Sequence, residues 1–144
     1  MYFYVYDLKF MNKENNVFVI DGDTSVRIGL KRLLIAAGHK VEVYSSPNEF
    51  LELIEMLDPG CLVLDSAVVR VWGVRLLDEL SKRNIRLSII VISADYNPED
   101  KKKADEMKAV GFFRKPVDGQ ALLDAVEWAL RSGKISNDRK KTFN

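Results

Sequence analysis

Five short apolar runs recur along the chain and predict the strands of one sheet. They lie at 17–20, 41–44, 61–64, 89–92 and 110–113. The first, third and fourth runs are apolar at every position, which is typical of strands in a parallel sheet that is covered on both faces. The fifth run is the weakest of the set.

Between these runs, apolar residues recur at helical spacing. The predicted helices lie at about 26–37, 47–57, 74–80, 99–108 and 118–130. The first helix is the most regular and ends at Gly38, and the second begins with a capping box at Ser46 and Glu49. The segment after Asp65 is predicted to be a loop. The fourth helix is mostly charged, so we expect it to be loosely held.

The alternation of strands and helices defines the fold class. Parallel neighbours need crossover connections, and helices serve as those connections on both faces of the sheet. The pattern therefore predicts one α/β domain, built as a doubly wound, five-stranded parallel sheet with five helices.

Length and composition fit one soluble globular domain. The chain has 144 residues, of which 47% are hydrophobic and 30% are charged, and its formal net charge is +1. This balance gives no general reason to expect nucleic acid or an anionic membrane as a partner. No apolar run reaches the roughly 18 residues of a membrane span, and no helix-turn-helix pattern is present. Neither membrane association nor DNA binding by this chain itself is predicted.

The chain has one cysteine, Cys61, and one histidine, His39. An internal disulfide and a zinc site made of Cys and His ligands are therefore both excluded. We expect a reducing, cytoplasmic location, and we interpret Cys61 as a small buried apolar residue.

The two ends of the chain lack the pattern of the middle. The first ten residues are rich in aromatic side chains but have no basic leading segment and no cleavage site, so we interpret them as an added segment or an extra strand. From Arg131 onward the chain has five basic residues and one acid. The predicted division is an N-terminal extension at 1–15, the α/β domain at 16–131, and a basic tail or linker start at 132–144.

Polar residues follow the apolar runs where each predicted strand ends. These residues are Asp21, Asp23, Asp65, Ser93 and Lys115. Sites in open α/β sheets lie outside the carboxyl ends of the strands, so we expect these side chains to share one edge. Clustered carboxylates repel one another unless a cation lies between them, and Mg²⁺ is the usual hard cation with oxygen ligands. A neighbouring lysine and hydroxyl are suited to hold phosphoryl oxygens.

The set Asp21, Asp65, Ser93 and Lys115-Pro116, spaced 44, 28 and 22 residues apart, resembles the receiver domain of two-component response regulators. The resemblance covers about 16–130, and Gly73 in the segment after Asp65 adds to it. Within that family, the segments around Asp65 and Lys115 look most like the FixJ-type regulators. The resemblance implies the flavodoxin-like receiver fold.

The resemblance also implies roles for single residues in phosphoryl transfer. Asp65 matches the aspartate that accepts a phosphoryl group from the phosphohistidine of a sensor histidine kinase. Ser93 matches the hydroxyl residue that turns toward the phosphoryl oxygens, and Lys115 matches the lysine that pairs with them. Phe112 matches the aromatic switch residue. Because neighbouring strand residues face opposite sides, only one of Phe112 and Phe113 can fill that role.

A metal site follows from the same resemblance. Asp21, Asp65 and the backbone carbonyl of Ala67 match the ligands of Mg²⁺. The second member of the family's acidic pair is Gly22 in this chain, so we expect weak Mg²⁺ binding and slow or absent phosphorylation. Asp23 is the alternative third ligand, and its other interpretation is the N-cap of the first helix.

Three functions remain open at this point. The first is a phosphorylation-controlled switch that changes a partner surface or a homodimer surface, with transcriptional regulation as the output and room for a DNA-binding domain after this chain. The second is a receiver that acts as an interaction module without phosphorylation, favoured by Gly22 and by the unusual segment 66–72, which has Arg70 and Trp72 beside the site.

The third function is enzymatic. Asp21-Gly22-Asp23-Thr24 also resembles the nucleophile motif of haloacid-dehalogenase-type phosphatases, with Ser93 and Lys115 as later motifs. That interpretation leaves Asp65 without a role. It also requires an acidic metal-binding motif on a strand after Lys115, where the pattern predicts a helix. We therefore expect a signalling domain and not an enzyme.

Overall fold

The computed structural model describes residues 16–54, 60–94 and 97–143, the stretch 133–143 as backbone. Five strands form one sheet: β1 (Asn16–Ile20), β2 (Lys40–Tyr44), β3 (Gly60–Asp65), β4 (Leu87–Ser93) and β5 (Gly111–Arg114). All neighbouring pairs are parallel, and the order across the sheet is β2-β1-β3-β4-β5. The predicted extension at 1–15 and the predicted end of the second helix at 58–60 lie wholly or largely outside the described residues.

Six helices are present in the described part of the chain. They are α1 (Thr24–Ala36), α2 (Pro47–Leu53), α3 (Ser66–Trp72), α4 (Val74–Lys82), α5 (Pro98–Glu106) and α6 (Gly119–Phe143). The predicted count of five was wrong, because the segment predicted to be a loop forms α3. No Gly or Pro interrupts 66–72, so the helix runs on until Gly73, which has a φ of 51° and ends it.

The last helix is also longer than predicted. Apolar spacing indicated an end near Leu130, whereas α6 continues to Phe143 and crosses the predicted boundary at 131–132. Hydrophobic periodicity marks the part of a helix that packs on a core. In the sequence that periodicity ends near Leu130. The periodic part of α6 does pack on the sheet, through Leu122, Val126 and Ala129.

Both faces of the sheet are covered, which explains the continuous apolar runs. Phe18 and Leu62 point to the face that packs against α2, α3 and α4, while Val19 and Val63 point to the face that packs against α1 and α6. Cys61 lies in the second of these layers, and burial raises the pKa of its thiol to about 12. The thiol is therefore protonated and unreactive at neutral pH.

The fold determines where a site can form. Chain order reverses between β1 and β3, because β1 pairs with β2 on one side and with β3 on the other. In a doubly wound sheet the crevice lies at the carboxyl ends of the strands on either side of this reversal. In the part of the chain that the structure describes, no helix is long and apolar enough to cross a membrane.

Candidate functional site

Three of the predicted side chains meet at the carboxyl edge of the sheet. Asp21 follows β1, Asp65 is the last residue of β3, and Lys115 follows β5. The Nζ atom of Lys115 lies 3.0 Å from Oδ2 of Asp21 and 3.2 Å from Oδ1 of Asp65. The two carboxylates are 3% and 11% exposed and the lysine side chain 20%, so this group of charges is largely removed from water.

Hydrogen bonds to and from backbone atoms hold Asp21 and Lys115 in this arrangement. Oδ1 of Asp21 accepts a hydrogen bond of 2.8 Å from the backbone N–H of Asp23. The Arg27 guanidinium donates to the backbone carbonyl of Asp21 at 2.6 Å. The backbone N–H of Lys115 donates to the carbonyl of Ser93 at 2.8 Å, which ties the lysine to the end of β4. Neighbouring backbone groups thus fix the positions of Asp21 and Lys115 at the edge of the sheet.

The neighbouring carboxylates of Asp21 and Asp65 favour the protonated, positively charged form of Lys115. Burial lowers the pKa of Lys115, but hydrogen bonds to Asp21 and Asp65 and their negative charges outweigh burial and raise it above its ordinary value. The lysine is therefore an ammonium at neutral pH. Two carboxylates and one ammonium leave the group with excess negative charge, which favours a cation between the carboxylates and disfavours an anion alone.

The donors at this edge fit Mg²⁺ that keeps several water ligands. Two buried carboxylates are typical of such a hydrated ion. The described residues contain no group of three or more His, Cys, Asp and Glu side chains placed to hold a metal. Position 22 is an open place for a third acid, because a Cβ atom added to Gly22 has nothing within 4 Å.

The two other predicted metal ligands, Asp23 and Ala67, take part in helices. Oδ1 of Asp23 caps α1, accepting hydrogen bonds from the backbone N–H groups of Ser25 at 2.8 Å and Val26 at 3.3 Å. Ala67 lies inside α3, where a helical carbonyl points along the axis toward the N–H four residues later. The helix therefore competes with a metal ion for the Ala67 oxygen.

Ser93 is placed differently from the other predicted side chains. Its backbone lies beside Lys115, but its Oγ donates a hydrogen bond of 2.9 Å to Oδ2 of Asp100 on α5. The guanidinium of Arg70 on α3 donates two hydrogen bonds of 2.7 Å to the same carboxylate. Sequence reasoning missed Asp100, because an acid in the first turn of a charged helix usually faces solvent. The one available signal was Arg70, a cation beside the site that needed an anionic partner.

Phe112 lies on β5 and is half-buried. It packs against the layer under α5, with the Nζ of Lys101 5.9 Å from its ring centroid, while Phe113 packs on the opposite face. The prediction that the two rings face opposite sides of the sheet is confirmed. Phe112 is the ring that contacts the helix carrying Asp100.

Comparison with known proteins gives a consistent picture. A family model for the response regulator receiver domain matches residues 17–127. The chain is 35% identical over 126 residues to the transcriptional regulatory protein TdiR of Thauera aromatica, covering 88% of this chain and 56% of that protein. It is 34% identical over 114 residues to the transcriptional regulatory protein FixJ of Azorhizobium caulinodans, covering 79% and 54%.

A solved crystal structure has the same fold as this chain. The crystal structure of FixJ-N superposes with a TM-score of 0.71 and 28% identity, covering 81% of this chain and 93% of that one. The chain spans about half the length of the two regulatory proteins that it matches.

Proposed function

Because the chain belongs to the response regulator receiver domain family, we propose that it accepts a phosphoryl group on Asp65 from a sensor histidine kinase. Receiver domains of transcriptional regulators are generally signalling modules without enzymatic activity, and they generally bind Mg²⁺ in their acidic pocket. The observation that carries the proposal is that the ammonium of Lys115 lies within hydrogen-bond distance of both Asp21 and Asp65.

The chemistry follows from this arrangement. A carboxylate oxygen of Asp65 attacks the phosphorus of a phosphohistidine, a P–O bond forms, and the P–N bond breaks with its electron pair left on the imidazole nitrogen. Lys115 neutralises part of the incoming charge and pairs with the transferred oxygens. Mg²⁺, held by Asp21 and Asp65, would supply the remaining positive charge.

The output follows from where the new charge lies. Phosphorylation replaces the single negative charge of the Asp65 carboxylate with about −2 on the acyl phosphate. This added charge lies beside Lys115 and Ser93, and both residues are tied to the segment that contains α5, β5 and α6. We propose that this segment changes a surface for a partner or for a second copy of the chain, in the cytoplasm, and that the process served is transcriptional regulation. Two relatives are named transcriptional regulatory proteins, which supports the last point.

The direct test is incorporation of phosphoryl groups from acetyl phosphate in the presence of Mg²⁺, followed by intact-mass measurement. We expect at most one phosphoryl group per chain, incorporated slowly. Complete lack of incorporation, at any Mg²⁺ concentration, would overturn the proposal. It would favour the second candidate, a receiver that binds its partner without phosphorylation, to which Gly22 and the engaged hydroxyl of Ser93 point.

A phosphatase that uses Asp21 is not favoured by the geometry. Oδ1 of Asp21 accepts from the backbone of Asp23 and Oδ2 from Lys115, so both oxygens are already hydrogen-bonded. Asp65, which had no role in that alternative, lies against the same ammonium as Asp21. The family match is to receiver domains over most of the described chain.

Weak Mg²⁺ binding is part of the proposal, and Gly22→Asp tests it. The new carboxylate has open space at position 22 and adds a third negative charge next to Asp21. Because a charged oxygen ligand strengthens binding of a hard cation, we expect the Mg²⁺ dissociation constant to fall at least about tenfold, or ~1.4 kcal/mol. Tryptophan fluorescence, with Trp72 on the helix that follows Asp65, or calorimetry measures this dissociation constant.

Gly22→Asn is the matched control for this substitution. It has nearly the same shape as the aspartate variant but adds no charge, so its Mg²⁺ dissociation constant should stay within about twofold of that of the unchanged chain. Equal effects of the two substitutions would contradict the idea that a missing acid limits Mg²⁺ binding.

A further inference from the structure

Asp100 is the buried centre of a hydrogen-bonded cluster beside the site, whose Arg70 side chain is 40% exposed. Its carboxylate accepts from Oγ of Ser93 at 2.9 Å and from Nε and NH2 of Arg70 at 2.7 Å each. Ser66, the first residue of α3, donates a further hydrogen bond. We call these four residues the Asp100 cluster. It joins the end of β4 to α3 and to the start of α5, and these two helices lie against each other.

Asp100 is ionised in this cluster although it is 2% exposed. The hydrogen bond from Arg70 is the largest influence and lowers the pKa of Asp100. Burial opposes it, and hydrogen bonds from Ser93 and Ser66 add to the lowering. Hydrogen bonds to an ionised acceptor are stronger than those between neutral groups, so the cluster holds the Ser93 hydroxyl firmly.

We infer that Asp100 is a positioning residue, which keeps the Ser93 hydroxyl turned away from Asp65 until a phosphoryl group on Asp65 competes for it. The inference rests on the proposed function. It adds that phosphorylation of Asp65 must first break the hydrogen bond between Ser93 and Asp100. Arg70 fixes Asp100 in place, so Asp100 cannot follow Ser93 toward the site.

The competition arises because Ser93 has a single hydroxyl proton. It cannot donate that proton to Asp100 and to a phosphoryl oxygen at the same time. The backbone carbonyl of Ser93 accepts from the backbone N–H of Lys115, so Ser93 lies at the sheet edge that carries Lys115. We therefore expect a change of its side-chain rotamer to exchange one acceptor for the other.

The cluster also connects the site to α5. Asp100 and Ala104 are the buried residues of this helix, and Met107 follows directly after it. Little apolar surface anchors α5, so its first turn depends on the polar contacts of Asp100, which include the two bonds from Arg70 and the bond from Ser93. We therefore expect the first turn of α5 to open more often when the hydroxyl leaves Asp100, while Arg70 stays paired with Asp100.

Beryllofluoride with Mg²⁺ is the probe for the test, since it mimics a phosphoryl group on a carboxylate. The full chain, Asp100→Asn, Ser93→Ala and the double variant are titrated, and tryptophan fluorescence gives each dissociation constant. The neutral amide of Asn accepts a weaker bond from Ser93. We expect Asp100→Asn to bind beryllofluoride about tenfold more tightly than the unchanged chain.

The double variant separates positioning from general effects on structure. If Asp100 acts through Ser93, Asp100→Asn should change the dissociation constant by less than twofold when Ser93 is already alanine. The control is Asp105→Asn, which removes an exposed ion pair with Lys101 of 2.7 Å on the same helix. Its dissociation constant should equal that of the unchanged chain.

Each outcome decides the inference. If the unchanged chain and Asp100→Asn bind beryllofluoride with equal dissociation constants, the positioning role alone is overturned. The same holds if Asp100→Asn still changes the dissociation constant when Ser93 is already alanine. Binding by Asp100→Asn but not by the unchanged chain supports it. Absence of binding by both overturns the inference, and lack of acetyl phosphate labelling then shows that the proposed function has failed as well.

A second measurement applies to the unchanged chain and does not depend on folding of Asp100→Asn. Beryllofluoride should raise amide hydrogen exchange in the first turn of α5, at 98–101, several-fold relative to α1. Unchanged exchange in that turn, with beryllofluoride bound, would overturn the inference.

Discussion

Replacing Asp65 with Asn is expected to abolish phosphoryl labelling by acetyl phosphate, with incorporation at least 100-fold below that of the unchanged chain. A carboxylate attacks phosphorus readily when nearby cations neutralise the incoming charge, whereas an amide oxygen does not form a stable acyl phosphate. Asn keeps the shape of Asp and can still accept from Lys115, so the fold should be retained. Intact-mass measurement after incubation with Mg²⁺ gives the result.

Two further substitutions serve as controls for this prediction. Asp78→Asn changes an exposed acid on α4 and should leave labelling unchanged. Asp21→Asn weakens the site without removing the nucleophile, so labelling should be slower but still located at position 65. Labelling that survives in Asp65→Asn and disappears in Asp21→Asn, together with hydrolysis of p-nitrophenyl phosphate, would instead indicate the phosphatase alternative.

Replacing Lys115 with Met is expected to lower the free energy of unfolding by about 3 kcal/mol in the presence of EDTA, since removal of one partner from a buried charge cluster leaves uncompensated charge. Met fills a similar volume but leaves two neighbouring carboxylates without their shared cation. Urea unfolding at neutral pH measures the loss. Lys82→Met removes a well-exposed lysine 3.5 Å from Glu79, and this control should change stability by less than about 0.5 kcal/mol.

Added Mg²⁺ should restore part of the lost stability in Lys115→Met. An ion that binds only the folded chain stabilises it by mass action, and in this variant the ammonium no longer competes for the carboxylate oxygens. We therefore expect a larger increase in unfolding free energy with Mg²⁺ than in the unchanged chain. A variant that is as stable as the unchanged chain in EDTA would show that Lys115 does not compensate these carboxylates.

Much of the fold and the core of the site could be predicted because both depend on simple rules. Continuous apolar runs indicate parallel strands buried on both faces, and parallel strands place the residues that follow them at one edge. Those two rules were enough to bring Asp21, Asp65 and Lys115 together. The fold class can be predicted without knowing the direction of any side chain. The positions where the strands end are enough to predict that these three residues lie together.

Other features depended on information that periodicity does not contain. The segment 66–72 follows a strand, and no apolar spacing distinguishes a short helix there from a loop. The extension of α6 to Phe143 follows no apolar spacing in the sequence. The Asp100 cluster pairs residues 30 positions apart through side chains that look like surface charges in the sequence. The packing of α3 against α5 brings Arg70 to Asp100, the carboxylate to which the Ser93 hydroxyl donates.

A crystal structure of the full chain with Mg²⁺ and beryllofluoride tests the central claim most directly. We predict beryllofluoride on the carboxylate of Asp65, with Nζ of Lys115 donating to one fluorine and the hydroxyl of Ser93 turned from Asp100 to another. A structure in which beryllofluoride lies elsewhere, while Lys115 stays paired with both Asp21 and Asp65, would contradict the account.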